Sequence, residues 1–278
     1  MSTLVIQSHT DHLPHDWLTR CVDSVRRWSD NNQFNYQWIG DELFDPVIPA
    51  IMEKVSTQKV IATDLARLYA IKAGLENYDR VVWLDADFLI FAPNEFLLPS
   101  RDKLPLKYMV GREVWVQQDQ ADTGKLRSYV KVHNAFLFFD RSDSFLGNSF
   151  LDFYIQHAEQ LLLECNGPMP PQFIGPKLLT AIHNVVGCPV LETAGMLCPE
   201  VIIGLLGKNN GDDNNEALNL FLTKSKAPLL GANLCSSLVD QISISDQEIN
   251  QVIDLLLSTE NSLMKHDSIM NQNSGHTL

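Results

Sequence analysis

A chain of 278 residues, 45% hydrophobic and 20% charged, can bury a substantial core as one large domain or two small ones. Its net charge of −13, from 21 basic and 34 acidic residues, argues against nucleic acid or an anionic membrane surface as the main partner. Sixteen of the 21 basic residues lie in positions 1–141, so that part supplies most candidate cations for a phosphorylated ligand.

Cys21, Cys165, Cys188, Cys198 and Cys235 form no Cys-x-x-Cys, which reads as reduced, mostly buried thiols and not as a zinc site. No apolar run approaches the roughly 18 residues that span a bilayer. The first residues lack the charged and long apolar regions of a signal peptide. The expectation is a cytoplasmic protein with no transmembrane segment and no basic amphipathic stripe for peripheral membrane contact.

In chain order, residues 4–7 read as a first strand. Trp17, Cys21, Val25 and Trp28 then recur at helical spacing behind Asp16, a candidate N-cap. Residues 36–39 read as a second strand and Gly40 as a turn. A helix is expected over 63–74, capped by Thr63, with Leu65, Leu68, Tyr69, Lys72 and Leu75 on one face. A third strand follows at 81–84. This alternation predicts an α/β fold with a mainly parallel sheet flanked by helices.

Residues 99–131 read as a polar excursion that covers the site, and 132–140 as another strand. Helices are expected near 146–165, 176–186 and 246–257. Residues 204–216 read by composition as a flexible loop, and their acidic residues do not match calcium-loop spacing. With no internal repeat or linker, the expectation is one domain over 1–266 and a disordered tail over 267–278.

The most informative feature is Asp85-Ala-Asp87 at the end of the apolar run Val81-Val-Trp-Leu84. Side chains two apart on a strand share a face, so both carboxylates project together if strand geometry holds through them. Alone, Asp-x-Asp most often marks a solvated turn. Here Phe88-Leu-Ile-Phe91 encloses it from the other side, and burying two unpaired carboxylates is costly. Two hard oxygen ligands at the carboxyl end of a strand suit Mg²⁺ or Mn²⁺ held together with substrate phosphates. Asp64 and Arg67, three apart, are neighbours on a helix surface.

The stretch Ala62-Thr-Asp-Leu-Ala-Arg-Leu-Tyr69 followed by Arg80-Val-Val-Trp-Leu-Asp-Ala-Asp87 resembles the donor-binding core of GT-A fold, Asp-x-Asp glycosyltransferases. It is most similar to family 32 enzymes, with wording also similar to family 8. Weaker similarity covers Gln7-Ser-His, His133-Asn-Ala-Phe-Leu-Phe-Phe-Asp140 and Gly175-Pro-Lys-Leu-Leu-Thr180.

The resemblance implies a metal-dependent hexosyltransferase-type enzyme moving a sugar from a UDP- or GDP-sugar to a hydroxyl of a carbohydrate or glycolipid acceptor, with retention. It implies Asp87 as direct ligand of Mn²⁺ or Mg²⁺, and Asp85 at the ribose and metal shell. Asp64, Arg67, Gln7 and Asn134 are implied on the donor, with Arg67 at the diphosphate. His133, Gly175 and Pro176 are implied on the acceptor or sugar side. It also implies a third metal ligand late in the chain, often His. Residues 230–237 hold no His, so Asn233 and Ser236 are the oxygen candidates, with His133 and His183 as alternatives.

Where that family usually has Gly-Gly-x-Tyr, this chain has Arg80-Val-Val-Trp83, and Trp83 reads as sheet packing. Asp119, Asp122 and Asp140 do not stand out as an inverting base. Two other classes remain: a decayed nucleotide-sugar-binding protein, and another Mg²⁺-dependent nucleotide enzyme. A nucleotidyltransferase is disfavoured because Ser8-His-Thr-Asp-His12 follows the first strand in place of a Gly-rich basic loop.

Overall fold

A computed structural model describes residues 1–100, 106–119, 121–122, 125–141, 148–209, 215–236, 244–260 and 262–264, without the side chains of 208 and 209. Strands are β1 (Thr3–Ser8), β2 (Asn35–Ile39), β3 (Arg80–Leu84), β4 (Phe88–Ile90), β5 (Tyr108–Gln118), β6 (Leu126–Asp140), β7 (Val190–Leu191), β8 (Ala194–Met196) and β9 (Gly231–Asn233). Helices are α1 (Asp16–Asn31), α2 (Pro49–Lys54), α3 (Lys59–Asn77), α4 (Ser149–Glu164), α5 (Leu178–Val186), α6 (Pro199–Asn209), α7 (Glu216–Lys224) and α8 (Asp246–Thr259).

The large sheet has the order β2-β1-β3-β6-β5-β7. β2 and β3 run parallel to β1, β6 is antiparallel to both β3 and β5, and β7 is parallel to β5. Five of the six strands therefore point one way. The α/β class with a mainly parallel sheet flanked by helices is as the sequence predicts.

One sheet face carries Leu4, Ile6, Val81 and Trp83 against α3, α4 and α5. The other carries Val5, Val82 and Leu84 against α1, α6, α7 and α8. Strand residues of both parities are thus buried, which explains the continuous apolar run of β3. Helix α1 turns Trp17, Cys21, Val25 and Trp28 fully inward, and α3 buries Ile61, Leu65, Leu68 and Leu75 at spacings of four, three and seven.

Several expectations need correction. Asp16 is the first residue of α1, and the N-cap is His15, with no side-chain cap bond. Helix α3 begins four residues before Thr63, whose hydroxyl bonds the Lys59 carbonyl at 3.1 Å and so caps nothing. The described part of 99–131 is dominated by the hairpin of β5 and β6. Residues 204–209 belong to α6, because the apolar run Val201-Ile-Ile-Gly-Leu-Leu206 outweighs its glycine. Of the rest of that expected loop, Asn215 caps α7 and Glu216 begins it, while 210–214, like the expected tail, lie outside the described residues. All five cysteines are free. Among the described residues no helix is long and apolar enough to cross a membrane.

Candidate active site

Strand geometry does not hold through the two carboxylates. β3 ends at Leu84, and Asp85, Ala86 and Asp87 form a turn closed by the Phe88 N–H on the Asp85 carbonyl at 3.0 Å. The chain then changes sheets: β4 pairs with β9, and β9 with β8, in a separate three-stranded sheet. Asp85 and Asp87 nevertheless line one cleft of about 260 Å³, at the carboxyl ends of β1 and β3.

β6 shapes the opposite wall. Val110 pairs with Leu137, but Gly111 pairs with His133, so three residues of β6 bulge out of register with β5. Two of them, Asn134 and Ala135, line the cleft, as bulges beside active sites often do.

Arg67 is buried at the centre of this arrangement. Its Nη1 donates to Asp85 Oδ1 and to the Asn134 carbonyl, both at 2.9 Å, and its Nη2 lies 3.2 Å from Asp64 Oδ1. The guanidinium also lies over the Trp83 ring, 5.4 Å from its centroid. Asp64 and Arg67 are therefore not a surface ion pair. Arg67 lines the cleft, and its fork engages two carboxylates and a carbonyl. It fixes their positions.

Trp83 does more than pack. Its indole N–H donates to Asp85 Oδ1 at 2.7 Å. With Arg67 and Trp83 both on Oδ1, Asp85 Oδ2 takes no hydrogen bond from any described residue. Gln7 donates to the Asp85 carbonyl at 3.0 Å and accepts from the Tyr36 hydroxyl at 3.1 Å. Both ends of its amide are engaged behind Asp85, so it supports the turn and does not face the cleft.

Asp87 is buried. Its Oδ1 accepts from the Asn233 side-chain amide and its Oδ2 from the Ser236 N–H at 2.8 Å. Burial, and then the neighbouring Asp85 charge, push its carboxyl upward, against the Ser236 hydrogen bonds. Asn233 spends its side-chain oxygen on the Cys235 N–H at 2.8 Å, so it turns a nitrogen donor to Asp87. The expectation of Asn233 as an oxygen ligand is corrected on that ground. Ser236 lines the cleft and keeps its hydroxyl near Asp87.

Neither His133 nor His183 lines the cleft. His133 is fully buried outside the cleft wall; its Nδ1 accepts from the Ala135 N–H at 3.1 Å and its Nε2 lies 3.2 Å from the Ala194 carbonyl. Burial pushes it down to about 4, so it stays neutral. It does not reach the cleft, and it fills the space left by Gly111, where a Cβ would overlap its ring. His183 lies on α5, also outside the cleft wall. Among the described residues no group of three or more His, Cys, Asp or Glu side chains could hold a metal.

Asp64 carries the site's orphan. Its Oδ1 accepts from Asn134 Nδ2 at 2.8 Å, while its Oδ2 is buried without a partner. Burial pushes its carboxyl up to about 6, although Arg67 and Asn134 pull it down. Gly175 lies directly on it: a Cβ there would overlap the Asp64 carboxylate. Pro176, next along the π-helical turn Phe173–Lys177, reaches the cleft.

Sequence reasoning missed Ser8, His9, Trp115, Met196 and Cys235, which also line the cleft. The first two follow a predicted strand, where loop residues were the available signal. The others carry no motif.

No family model matches the chain, and no curated protein matches it. Among solved structures it is similar to a glycosyltransferase involved in the glycosylation of the major capsid of PBCV-1, at 9% identity and a TM-score of 0.44, covering 92% of this chain and 100% of that one. It is also similar to mouse xyloside xylosyltransferase 1 in its apo form, at 9% identity and a TM-score of 0.44, covering 85% of this chain and 98% of that one.

Proposed function

We propose that the protein is a metal-dependent glycosyltransferase that moves a sugar from a UDP- or GDP-sugar to a hydroxyl acceptor. The observation that carries this reading is the Asp85–Asp87 turn at the carboxyl end of β3. One Asp85 oxygen is held by Arg67 and Trp83, and Asp85 Oδ2 has no donor among the described residues.

A divalent cation fits these residues. The donors are hard oxygens, and Asp87 is a buried carboxylate disfavoured by burial and by Asp85. Asp85, Asp87 and the Ser236 hydroxyl would hold Mn²⁺ or Mg²⁺. Bound there, the cation neutralises charge building on the leaving diphosphate. With so few protein ligands, the remaining positions would be left to water and the diphosphate, the usual mode for Mg²⁺.

The chain's own residues have distinct tasks. Arg67, Trp83 and Gln7 fix Asp85. Asp64 lines the part of the cleft that would take the donor sugar, and Asn134 sets the direction of its carboxylate. In the transfer, the bond from anomeric carbon to diphosphate oxygen breaks and its electron pair leaves with the nucleoside diphosphate. The acceptor oxygen bonds to the carbon, and its proton passes to the departing diphosphate. Retention is the outcome the motif resemblance implies.

A decayed nucleotide-sugar-binding protein is the second reading, favoured by the Asn233 amide aimed at Asp87. A hydrolysis screen separates them. UDP- and GDP-sugars are incubated with Mn²⁺, with and without chelator, using wild type and Asp87→Ala. The transferase releases UDP or GDP only with metal, and Asp87→Ala lowers the rate at least about 100-fold, the scale of removing one key electrostatic stabiliser. Donor binding without any turnover would favour the decayed protein. Neither turnover nor binding would sink the donor site.

A further inference from the structure

Beyond the bulge, β5 and β6 continue as a regular antiparallel hairpin. Glu113 opposes Lys131, and Trp115 opposes Tyr129. Directly opposed residues share a sheet face, as do residues two apart on one strand. These four side chains therefore form one patch.

Its position and chemistry set it apart. Trp115 lines the same cleft as Asp85 and Asp87, together with Met196 and Cys235. Tyr129, opposite Trp115, is 38% exposed. The Lys131 ammonium sits 5.4 Å from the centroid of the Tyr129 ring. Glu113 is largely buried, on the same face as Trp115 and opposite Lys131. Burial pushes its carboxyl up to about 6, against the attraction of Lys131. Enclosing a carboxylate costs free energy unless a donor reaches it. The β-branched residues favoured in strands would avoid that cost.

We propose that this patch is the acceptor subsite and that the acceptor is a saccharide. A pyranose ring lays its C–H face against Trp115 and Tyr129, and one of its hydroxyls donates to Glu113. Aromatic rings offer large, rigid apolar area with an electron-rich face, which suits polarised C–H groups. The flanking carboxylate and ammonium suit the ring's hydroxyls, which donate to one and accept from the other. An acyl chain would leave both charges without hydrogen bonds. Trp115 reaches the cleft, so the bound ring leads its outermost hydroxyl toward the donor. This inference rests on the glycosyltransferase reading, and the chemistry is shared by a free oligosaccharide and a glycolipid headgroup.

The test uses the full chain with the sugar nucleotide it hydrolyses and two acceptor arms. Maltose, cellobiose and lactose stand for free saccharides, and octyl glucoside and octyl galactoside for lipid-linked ones. Transfer in one arm alone names the source. Trp115→Ala and Tyr129→Ala are each expected to lower the ratio of transfer to hydrolysis roughly tenfold, a contact of aromatic size. Trp115→Phe and Tyr129→Phe are expected to restore most of it.

Tryptophan fluorescence gives a reading independent of turnover. The same sugars should change the emission of wild type in a saturable way, and Trp115→Phe should lose that change. An unaltered transfer-to-hydrolysis ratio in both alanine variants overturns the subsite. So does a sugar-induced emission change that survives intact in Trp115→Phe, or its absence in wild type. Saturable binding at Trp115 without any donor hydrolysis keeps the saccharide site and sinks the transferase reading.

Discussion

Arg67 is the one Arg or Lys in the cleft wall among the described residues, and Asp64 and Asp85 share it. Removing one member of a buried charge group leaves the others uncompensated, at about 3–5 kcal/mol. Arg67→Ala should therefore lower unfolding stability by about that amount in urea titration. Arg67→Lys keeps the charge but has no planar fork to span Asp85, Asp64 and the Asn134 carbonyl. It should recover part of the stability and little of the donor hydrolysis. Equal recovery of both would show that charge alone matters and that the fork does not orient Asp85. The residues of this group were legible in the sequence because their spacing is a motif. Their burial was not, since three-apart charges on a helix look alike whether solvated or enclosed. Trp83 was legible only as packing, because nothing in an apolar run announces a hydrogen bond.

At the scale of elements, the bulge of β6 decides which side chains reach the cleft, and His133 is its inner support. No residue pattern announces it: the run 132–140 reads as an unbroken strand, while the partner strand supplies the register slip. β5 was obscured for a related reason, because Arg112 and Glu113 interrupt its apolar alternation. Arg112 is satisfied by paired bonds of 2.7 Å to the two oxygens of Glu192, a partner 80 positions away.

The same support gives a pH prediction. His133 titrates at about 4 in the folded chain and near its ordinary 6.5 when unfolded. Between these values the unfolded state binds more protons, so stability rises with pH. The contribution is complete above about 6.5 and is lost as pH falls toward 4, roughly 3 kcal/mol in all at 1.36 kcal/mol per unit. Asp64 and Glu113 act in the opposite sense over an overlapping range, because burial raises both to about 6 and the folded state then binds the extra protons. The wild-type profile alone is therefore ambiguous. The difference between wild type and His133→Gln, measured by urea unfolding from pH 4.5 to 7, isolates the histidine. The variant should show the shallower rise; parallel profiles would mean that His133 titrates alike in the folded and unfolded chain.

For the whole molecule, the balance of charge bears on how the proposed donor would bind. The chain carries −13 overall. Among the described residues the cleft places Asp64, Asp85 and Asp87 against one Arg, Arg67, already engaged by two of them. A nucleoside diphosphate adds further negative charge beside Asp85, so without a cation its entry is opposed by like charge. The metal alone fares little better, since the described protein offers two carboxylates and a hydroxyl where Mg²⁺ or Mn²⁺ seeks six oxygens. Each ligand supplies what the other lacks, and coupling of this kind is reciprocal. UDP or GDP with chelator, and Mn²⁺ by itself, should each leave the thermal midpoint within about 1 °C of the bare protein. Together they should raise it by several degrees, because a ligand at about 100 times its Kd adds roughly 2.7 kcal/mol to the folded state. Asp87→Ala should abolish the joint shift. Additive shifts from nucleotide and metal would place the two at separate sites and remove the diphosphate from the Asp85–Asp87 turn.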